Sequence, residues 1–182
     1  FNLGNVQQNQ GQLDHAKESY KKVIKLASDH ARAYVNLGHT LLKLGDKKGA
    51  ENYWSQSLEI DGELADAHVN LALLNFEQGN ISKGWQGFEW RSKAESYESP
   101  YRHFPQPNWD GSPLNGKEII LWGEMGLGDE ISYASMIPDI LRQGAKVTIE
   151  CTQRLVPLFS RSFEGAEVYA APYAPAENGL RS

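Results

Sequence analysis

Three groups of residues in this 182-residue chain have the types and spacing to do chemistry. The first is Gly123-Glu124-Met125-Gly126-Leu127-Gly128, followed at once by Asp129 and Glu130. Gly123, Gly126 and Gly128 permit tight backbone turns and the close approach of a ligand. Their G-x-x-G-x-G spacing is not the dinucleotide G-x-G-x-x-G, and no lysine follows to complete a phosphate loop. Two carboxylates at the predicted start of a helix already complement its dipole and repel phosphate, so a direct phosphate cradle is disfavoured. Asp129 also reads as a helix N-cap. The second group is an asparagine recurring at Asn2, Asn36 and Asn70, whose amide offers a donor pair and an acceptor each time. The third is His39 and Lys43, one helical turn apart, which read as the lining of a solvated groove. His15, His30 and His68 lack the paired Cys or Asp spacing of a ligand set, so no metal site is expected. Glu150, at the end of a predicted strand, imitates the ribose-binding acid of a nicotinamide enzyme; that reading is the outlier.

The elements that must position these residues follow from a repeat. Leu3-Gly4, Gly11, Ala16 and Tyr20 return as Leu37-Gly38, Gly45, Ala50 and Trp54, and again as Leu71-Ala72, Gly79, Gly84 and Phe88. Three registers without an insertion, at a period of 34 residues, predict paired helices stacked as a solenoid, because one pair alone cannot bury its apolar face. In the middle repeat, Tyr34, Leu37, Leu41 and Leu44 fall at helical spacing. Gly45-Asp46 punctuates the chain, and a second helix from about Lys47 to Ile60 points Ala50, Tyr53, Trp54, Ser57 and Leu58 inward. Small residues at the Gly4, Gly38, Ala72 and Ala16, Ala50, Gly84 positions let paired helices approach closely. Tyr20, Trp54 and Phe88 fill the space beneath.

These positions resemble the tetratricopeptide repeat family over three repeats, about half the chain. The resemblance implies a concave groove of successive first helices that takes an extended peptide or partner protein. Mapped here, that groove shows Asn2, Asn5, Gln8, Asn9, Asn36, His39, Lys43, Asn70, Phe76 and Glu77. The recurring asparagine resembles the ladder in O-linked N-acetylglucosamine transferases, which would hold a peptide backbone without reading its sequence; the other reading has each asparagine bonding locally. The carboxylate clamp of chaperone-binding members is disfavoured. It wants basic residues where this chain has Phe1, Asp66 and Asn70, and only Asn5 and Asn36 fit it.

After Gly84 the pattern changes. Trp85 shares a helical face with Phe88, whereas Trp90 turns away from it, and an apolar surface of this kind needs a cover. Pro100, Pro105, Pro107 and Pro113 with Gly111 and Gly116 mark an ordered connector, which Tyr101, Phe104 and Trp109 should pin to its neighbours. From Lys117 onward, strands Glu118–Trp122, 146–151 and 166–170 alternate with helices 129–143 and 154–163. In the first helix Ile131, Tyr133, Ile137 and Ile140-Leu141 point inward and Pro138 kinks the helix or starts its second part. Alternating strands and helices imply a parallel Rossmann-like sheet, β-α-β-α-β, with ligands at the carboxyl ends of its strands. The expected organisation is an α-helical repeat array at 1–96, a connector at 97–116 and a partial α/β domain at 117–182.

Trp109-Asp110-Gly111, Leu114-Asn115-Gly116-Lys117 and Leu121 to Asp129, with Gly84-Trp85, Glu89-Trp90-Arg91 and Gly144-Ala145-Lys146-Val147, resemble a bacterial family. In it, tetratricopeptide repeats precede a heptosyltransferase-like glycosyltransferase domain of the two-Rossmann type. The resemblance implies that Asp129, in Leu127-Gly128-Asp129, is a catalytic base beside the acceptor hydroxyl. It implies a nucleotide sugar as donor for a longer parent protein, bound mainly by a second domain, with no cofactor held by these residues. Phe1 is not an initiator methionine, so the chain is expected to be a piece of that parent and inactive alone. The function expected is a protein-binding repeat module joined to the start of a glycosyltransferase; the alternative is the acceptor-selecting arm of an active one.

Composition narrows the partners. A net charge of −5 offers no broad attraction to nucleic acid or anionic lipid. No apolar run approaches the roughly 20 residues of a membrane span. A lone cysteine, Cys151, fits a reducing, cytoplasmic compartment.

Overall fold

The computed structural model describes residues 1–95, 104–124 and 126–172. The chain divides into two compact units, Phe1–Glu98 and Ser99–Ser182.

The first unit is three helix pairs: α1 (Asn2–Asn9) with α2 (Leu13–Leu26), α3 (Ala31–Lys43) with α4 (Lys47–Ile60), and α5 (Ala65–Glu77) with α6 (Ile81–Phe88). Each pair turns on a glycine. At Gly45, φ is +88°, and its N–H bonds Leu42 O while the N–H of Asp46 bonds Leu41 O. This double bond closes the helix in a left-handed turn that only glycine enters cheaply. Asp46 then caps α4 by accepting from the Gly49 N–H at 2.8 Å.

The repeat positions pack small against large. Gly38 lies flat against the Trp54 ring, Gly4 against Tyr20, and Gly84 against Phe76. The Trp54 indole donates to Val35 O at 3.1 Å. Ala16, Tyr20, Leu37, Ala50 and Trp54 form the buried spine, with Tyr53 and Leu58 half-buried beside it. Leu44, expected inward, is exposed: it is the C-cap of α3, past the turn that faces the core. α6 also ends earlier than its sequence suggests, tightening into a 3-10 turn over Glu89–Lys93. That change of pitch swings Trp90 back toward α5. Trp90 stacks on His68 with centroids 4.2 Å apart, and the Lys93 ammonium lies over the Trp90 ring, 4.7 Å from its centroid.

In the second unit β1 (Glu118–Trp122), β2 (Lys146–Cys151) and β3 (Ala166–Ala170) form a parallel sheet in that order. Glu118 pairs with Lys146 and Trp122 with Glu150; Val147 pairs with Ala166 and Cys151 with Ala170. β2 is central and buried from Val147 to Cys151, as expected of a strand covered on both faces. Leu114, from the connector, joins the core of this unit, and Phe104 packs on Trp122. Trp109 instead bonds locally, its indole donating to Ser112 O. Tyr101 lies outside the described residues.

The helix expected from Asp129 is two helices, α7 (Leu127–Ala134) and α8 (Ile137–Arg142), with Pro138 in the first turn of α8. α7 begins two residues early, and Ile131 and Tyr133, two residues apart, do not share one helical face. Ile131 and Tyr133, expected inward, are 46% and 45% exposed, and Glu130 and Ala134 take the inward positions. A short 3-10 turn at Gln153–Leu155 leads into α9 (Val156–Ser162).

Candidate functional site

The groove expected along α1, α3 and α5 is floored by side chains that bond to one another. Asn36 donates from Nδ2 to Asn5 Oδ1 at 2.9 Å. The Tyr20 hydroxyl lies 2.8 Å from the same Asn5 oxygen and 2.9 Å from Gln8 Oε1, sharing its proton between them. Burial pushes the Tyr20 phenol above its ordinary range, and its bond with Asn36 offsets part of that. One period on, His39 lies edge-on to Trp54, with centroids 5.6 Å apart. Burial holds its imidazole below the ordinary range; Asn70 and Asp66 favour the charged form and Lys43 opposes it. The first-helix residue at the Asn5/His39 position thus touches the asparagine of the next repeat. Asn5 and Asn36 are fastened locally rather than held out for a ligand.

Asn70 differs. Its Nδ2 is buried and has no hydrogen-bond partner. An orphaned amide donor in a groove floor calls for an explanation. Asn2, Asn9 and Lys43, on the first helices of the first and second repeats, are exposed. Glu77 pairs with the Lys47 ammonium at 2.5 Å. Phe76 does not line the groove. Its ring lies against Gly84, 5.2 Å from Trp85 and 5.9 Å from Phe88, because the missing side chain at Gly84 opens a slot on α6.

At the carboxyl ends of the strands, the Gly123 N–H bonds Glu150 O at 3.1 Å, tying the exit of β1 to β2. Of the three loop glycines, Gly123 is the one packing requires. A Cβ there would stand 2.6 Å from Glu130 Cδ, whereas Gly126 and Gly128 face open space and have no positive φ. Met125 lies outside the described residues. Gly126, not Asp129, is the N-cap of α7, and no side chain caps that helix. Asp129 sits in the first turn, exposed, its N–H bonded to Gly126 O.

Glu130, read from the sequence only as a carboxylate at the helix start, has a role that reading missed. Its carboxylate accepts from the Thr152 N–H at 2.9 Å and the Thr152 hydroxyl at 2.5 Å, clamping α7 to the exit of β2. The only sequence signal for it is its place one residue after Asp129. Glu150 is 2% exposed, which closes it to a ribose in this structure. Beside it, burial and the charges of Glu130 and Glu150 push the Cys151 thiol up to about 11. Among the described residues no three His, Cys, Asp or Glu side chains stand together as a metal site, and no helix is long and apolar enough to cross a membrane.

Residues 4–45 match the family described as TPR repeat, and residues 31–63 the one described as Tetratricopeptide repeat. The first two helix pairs, within residues 4–63, are therefore tetratricopeptide repeats. Across both units the chain is similar to Protein FlbA of Caulobacter vibrioides, 30% identical over 178 residues, covering 92% of this chain and 29% of that protein. Human Protein O-mannosyl-transferase TMTC3 is 32% identical over 78 residues, 42% of this chain and 8% of its own length. The chain thus spans under a third of these relatives. Among solved structures, MamA aligns at a TM-score of 0.46 and 19% identity over 48% of this chain and 52% of its own. PcrH in complex with the chaperone binding region of PopD aligns at 0.47 and 21% over 53% and 75%.

Proposed function

We propose that the repeat array is a protein-binding module that takes an extended segment of a partner along α1, α3 and α5. The observation that carries this reading is the orphaned Asn70 Nδ2, a donor buried beneath the groove floor that a peptide carbonyl would satisfy once the amide turns outward. The exposed Asn2, Asn9 and Lys43 supply rim contacts, while Asn5, Asn36 and His39 keep neighbouring helices in register. This is a ladder reduced to one reading position. Peptides selected from a displayed random library against the immobilised chain give the probe. Asn70→Asp keeps the oxygen that faces His39 and removes the donor, so it should weaken those peptides about 3- to 10-fold, the worth of one hydrogen bond. Unchanged affinity in both Asn70→Asp and Lys43→Glu refutes the groove.

A second reading concerns the α/β unit. Its parallel β1-β2-β3 order, with exposed Asp129 just past the exit of β1, supports the first part of a Rossmann-like, glycosyltransferase-like domain. In that role the Asp129 carboxylate takes the proton of an acceptor hydroxyl as its oxygen bonds to the sugar carbon and the nucleotide leaves with the bonding electrons. Asp129 and Glu130 suit a hydroxyl better than a diphosphate, so the nucleotide sugar is assigned to residues elsewhere in a longer parent, and the repeats become its acceptor-selecting arm. The similarity to FlbA across both units favours treating them as one architecture; the TMTC3 match is confined to 78 residues. The lone cysteine is in keeping with a cytoplasmic setting. Asp129→Asn in the longer protein should abolish sugar transfer; retained transfer sinks this reading. Isothermal titration of the present chain should detect neither nucleotide sugar nor nicotinamide dinucleotide.

A further inference from the structure

The chain enters β1 through Leu114-Asn115-Gly116-Lys117, where Asn115 and Gly116 both turn left-handed, with φ of +34° and +80°. Positive φ at two successive residues marks the tight turn for which Asn-Gly is the favoured pair. The turn is held at its ends. Leu114 is 3% exposed in the core of the second unit, the Lys117 N–H bonds Leu114 O at 2.6 Å, and Lys117 O accepts from the Lys146 N–H at 2.9 Å. Its two central residues are exposed, and no described residue bonds the Asn115 amide or the Gly116 N–H. A Cβ built on Gly116 meets nothing within 4 Å, so Gly116 stands clear of its neighbours. Asparagines elsewhere are placed differently. Asn36 and Asn75 lie in helices, where the next N–H is committed to the carbonyl four residues back, and their own amides donate to Asn5 Oδ1 and Leu71 O. Among the described residues, Asn115 is the one asparagine followed by glycine.

We propose that Asn115 is a site of spontaneous covalent modification, at which the side-chain amide is exchanged for a carboxylate and the main chain is rerouted through Cγ. The Gly116 nitrogen gives its proton to solvent base and attacks Asn115 Cγ, closing a succinimide ring. The Cγ–Nδ2 bond breaks, and Nδ2 takes a proton from water and leaves as ammonia. Water then adds at one of the two ring carbonyls. Opening at Cγ yields aspartate; opening at the main-chain carbonyl yields isoaspartate, whose backbone is one atom longer. Water is the only co-reactant. The attack is intramolecular, and glycine presents no side chain to block it. Ring closure takes Asn115 out of a left-handed conformation that a non-glycine residue holds at a cost. In return it gives up the turn's bond from the Lys117 N–H to Leu114 O. Isoaspartate then sets an extra atom between the Leu114 and Lys117 anchors, which loosens the bond from the Lys146 N–H to Lys117 O at the start of β2. This chemistry is independent of the groove and of Asp129.

In the test, the full folded chain is incubated in neutral and in alkaline buffer, digested, and read by mass spectrometry with a fragmentation that tells isoaspartate from aspartate. The peptide carrying Asn115 should gain the mass of an amide-to-acid exchange about tenfold faster than peptides carrying the helical asparagines. Isoaspartate should be among its products. The rate should be higher in the alkaline buffer, because the attacking nitrogen must first lose its proton. Asn178-Gly179, outside the described residues, falls in a different peptide and is read separately. Asn115→Gly suits the positive φ and removes the amide, so its peptide should not change. Hydrogen exchange at the Lys146 amide should be several-fold faster in the aged chain than in the fresh one. It should stay near the fresh value in Asn115→Asp, which adds the charge without lengthening the backbone. An Asn115 peptide that ages no faster than the helical asparagines, yields no isoaspartate, or ages at a rate unmoved by alkali overturns the proposal. Lys146 exchange unchanged by isoaspartate, or raised as much by Asn115→Asp, overturns the loosening at β2.

Discussion

Gly38→Ala tests the packing rule of the array most directly. An alanine Cβ at this position overlaps Trp54 Nε1 and stands 2.6 Å from its Cδ1 and 2.9 Å from its Cε2. The ring has nowhere to go: it is 1% exposed and its N–H is committed to Val35 O at 3.1 Å. Overpacking of this kind costs about 1–3 kcal/mol. Loosening the indole hydrogen bond adds about 1 kcal/mol. Against this, alanine gains about 1 kcal/mol over glycine inside a helix. The net is a destabilisation of about 2 kcal/mol, roughly 10 °C in melting temperature for a unit of this size. Thermal melts followed by far-ultraviolet circular dichroism read it. Gly128→Ala, where the new Cβ meets open space, is the control and should be neutral or slightly stabilising. In the third repeat the equivalent pair is Ala72 with Phe88, so Trp54→Phe should relieve part of the Gly38→Ala penalty in a double-mutant cycle. A Gly38→Ala chain as stable as the parent, or a cycle without coupling, refutes the reasoning.

His39 predicts acid sensitivity. Its imidazole is held low by burial, partly offset by Asn70 and Asp66, from an ordinary value of 6.5. The unfolded chain therefore gains a proton that the fold refuses, so this stability is present above that value and lost as pH falls through the folded pKa. The urea midpoint should drop more between about pH 7.5 and about pH 5.5 in the parent than in His39→Gln; equal drops contradict this. Cys151 behaves in the opposite sense. With its thiol raised from 9.0 to about 11, its contribution is full below the unfolded value and is lost as pH rises through that window. Iodoacetamide near pH 9 should alkylate the native chain far more slowly than the urea-unfolded chain, and similar rates would exclude a protected thiol. Glu130→Gln replaces an acceptor of two Thr152 bonds by an amide that offers one oxygen, so the second unit should lose about 1–3 kcal/mol. Hydrogen exchange at the Thr152 amide reads this, and undiminished protection rejects the clamp.

What was legible in the sequence was whatever recurs. Gly38 facing Trp54 and Gly4 facing Tyr20 were readable because a repeat preserves the pairing of a small residue with a large one. The turn glycines and all three strands were readable for similar reasons of period and punctuation. The destination of a polar side chain was not. Asn36 and Asn70 occupy one repeat position, yet on the first helix of the preceding repeat Asn36 meets an asparagine and Asn70 a histidine, and only the second leaves a donor unused. Phe76 was placed in the groove by mapping the family's concave face onto α5. The slot that draws it to α6 depends on Gly84, in a different helix. Ile131 and Tyr133 were placed inward as apolar residues of one helix, but they stand two apart, and the buried face of α7 takes Glu130 and Ala134 instead.

The two acids after the glycine loop show what the direction of a side chain does to function. Successive residues of a helix point about 100° apart. In α7 the face toward the sheet takes Glu130 and Ala134, four residues apart, and leaves Asp129 toward solvent. Glu130 turns in, and the absence of a side chain at Gly123 makes room for its carboxylate beside Thr152. Asp129 turns out, with only its backbone N–H engaged among the bonds of the turn. Structural and chemical duties are thereby divided between adjacent residues. The inward acid fixes where the helix starts relative to the strand exits, and that placement is what gives the outward acid a defined position. Loss of Glu130 should therefore disturb whatever Asp129 does, whereas loss of Asp129 leaves the clamp intact.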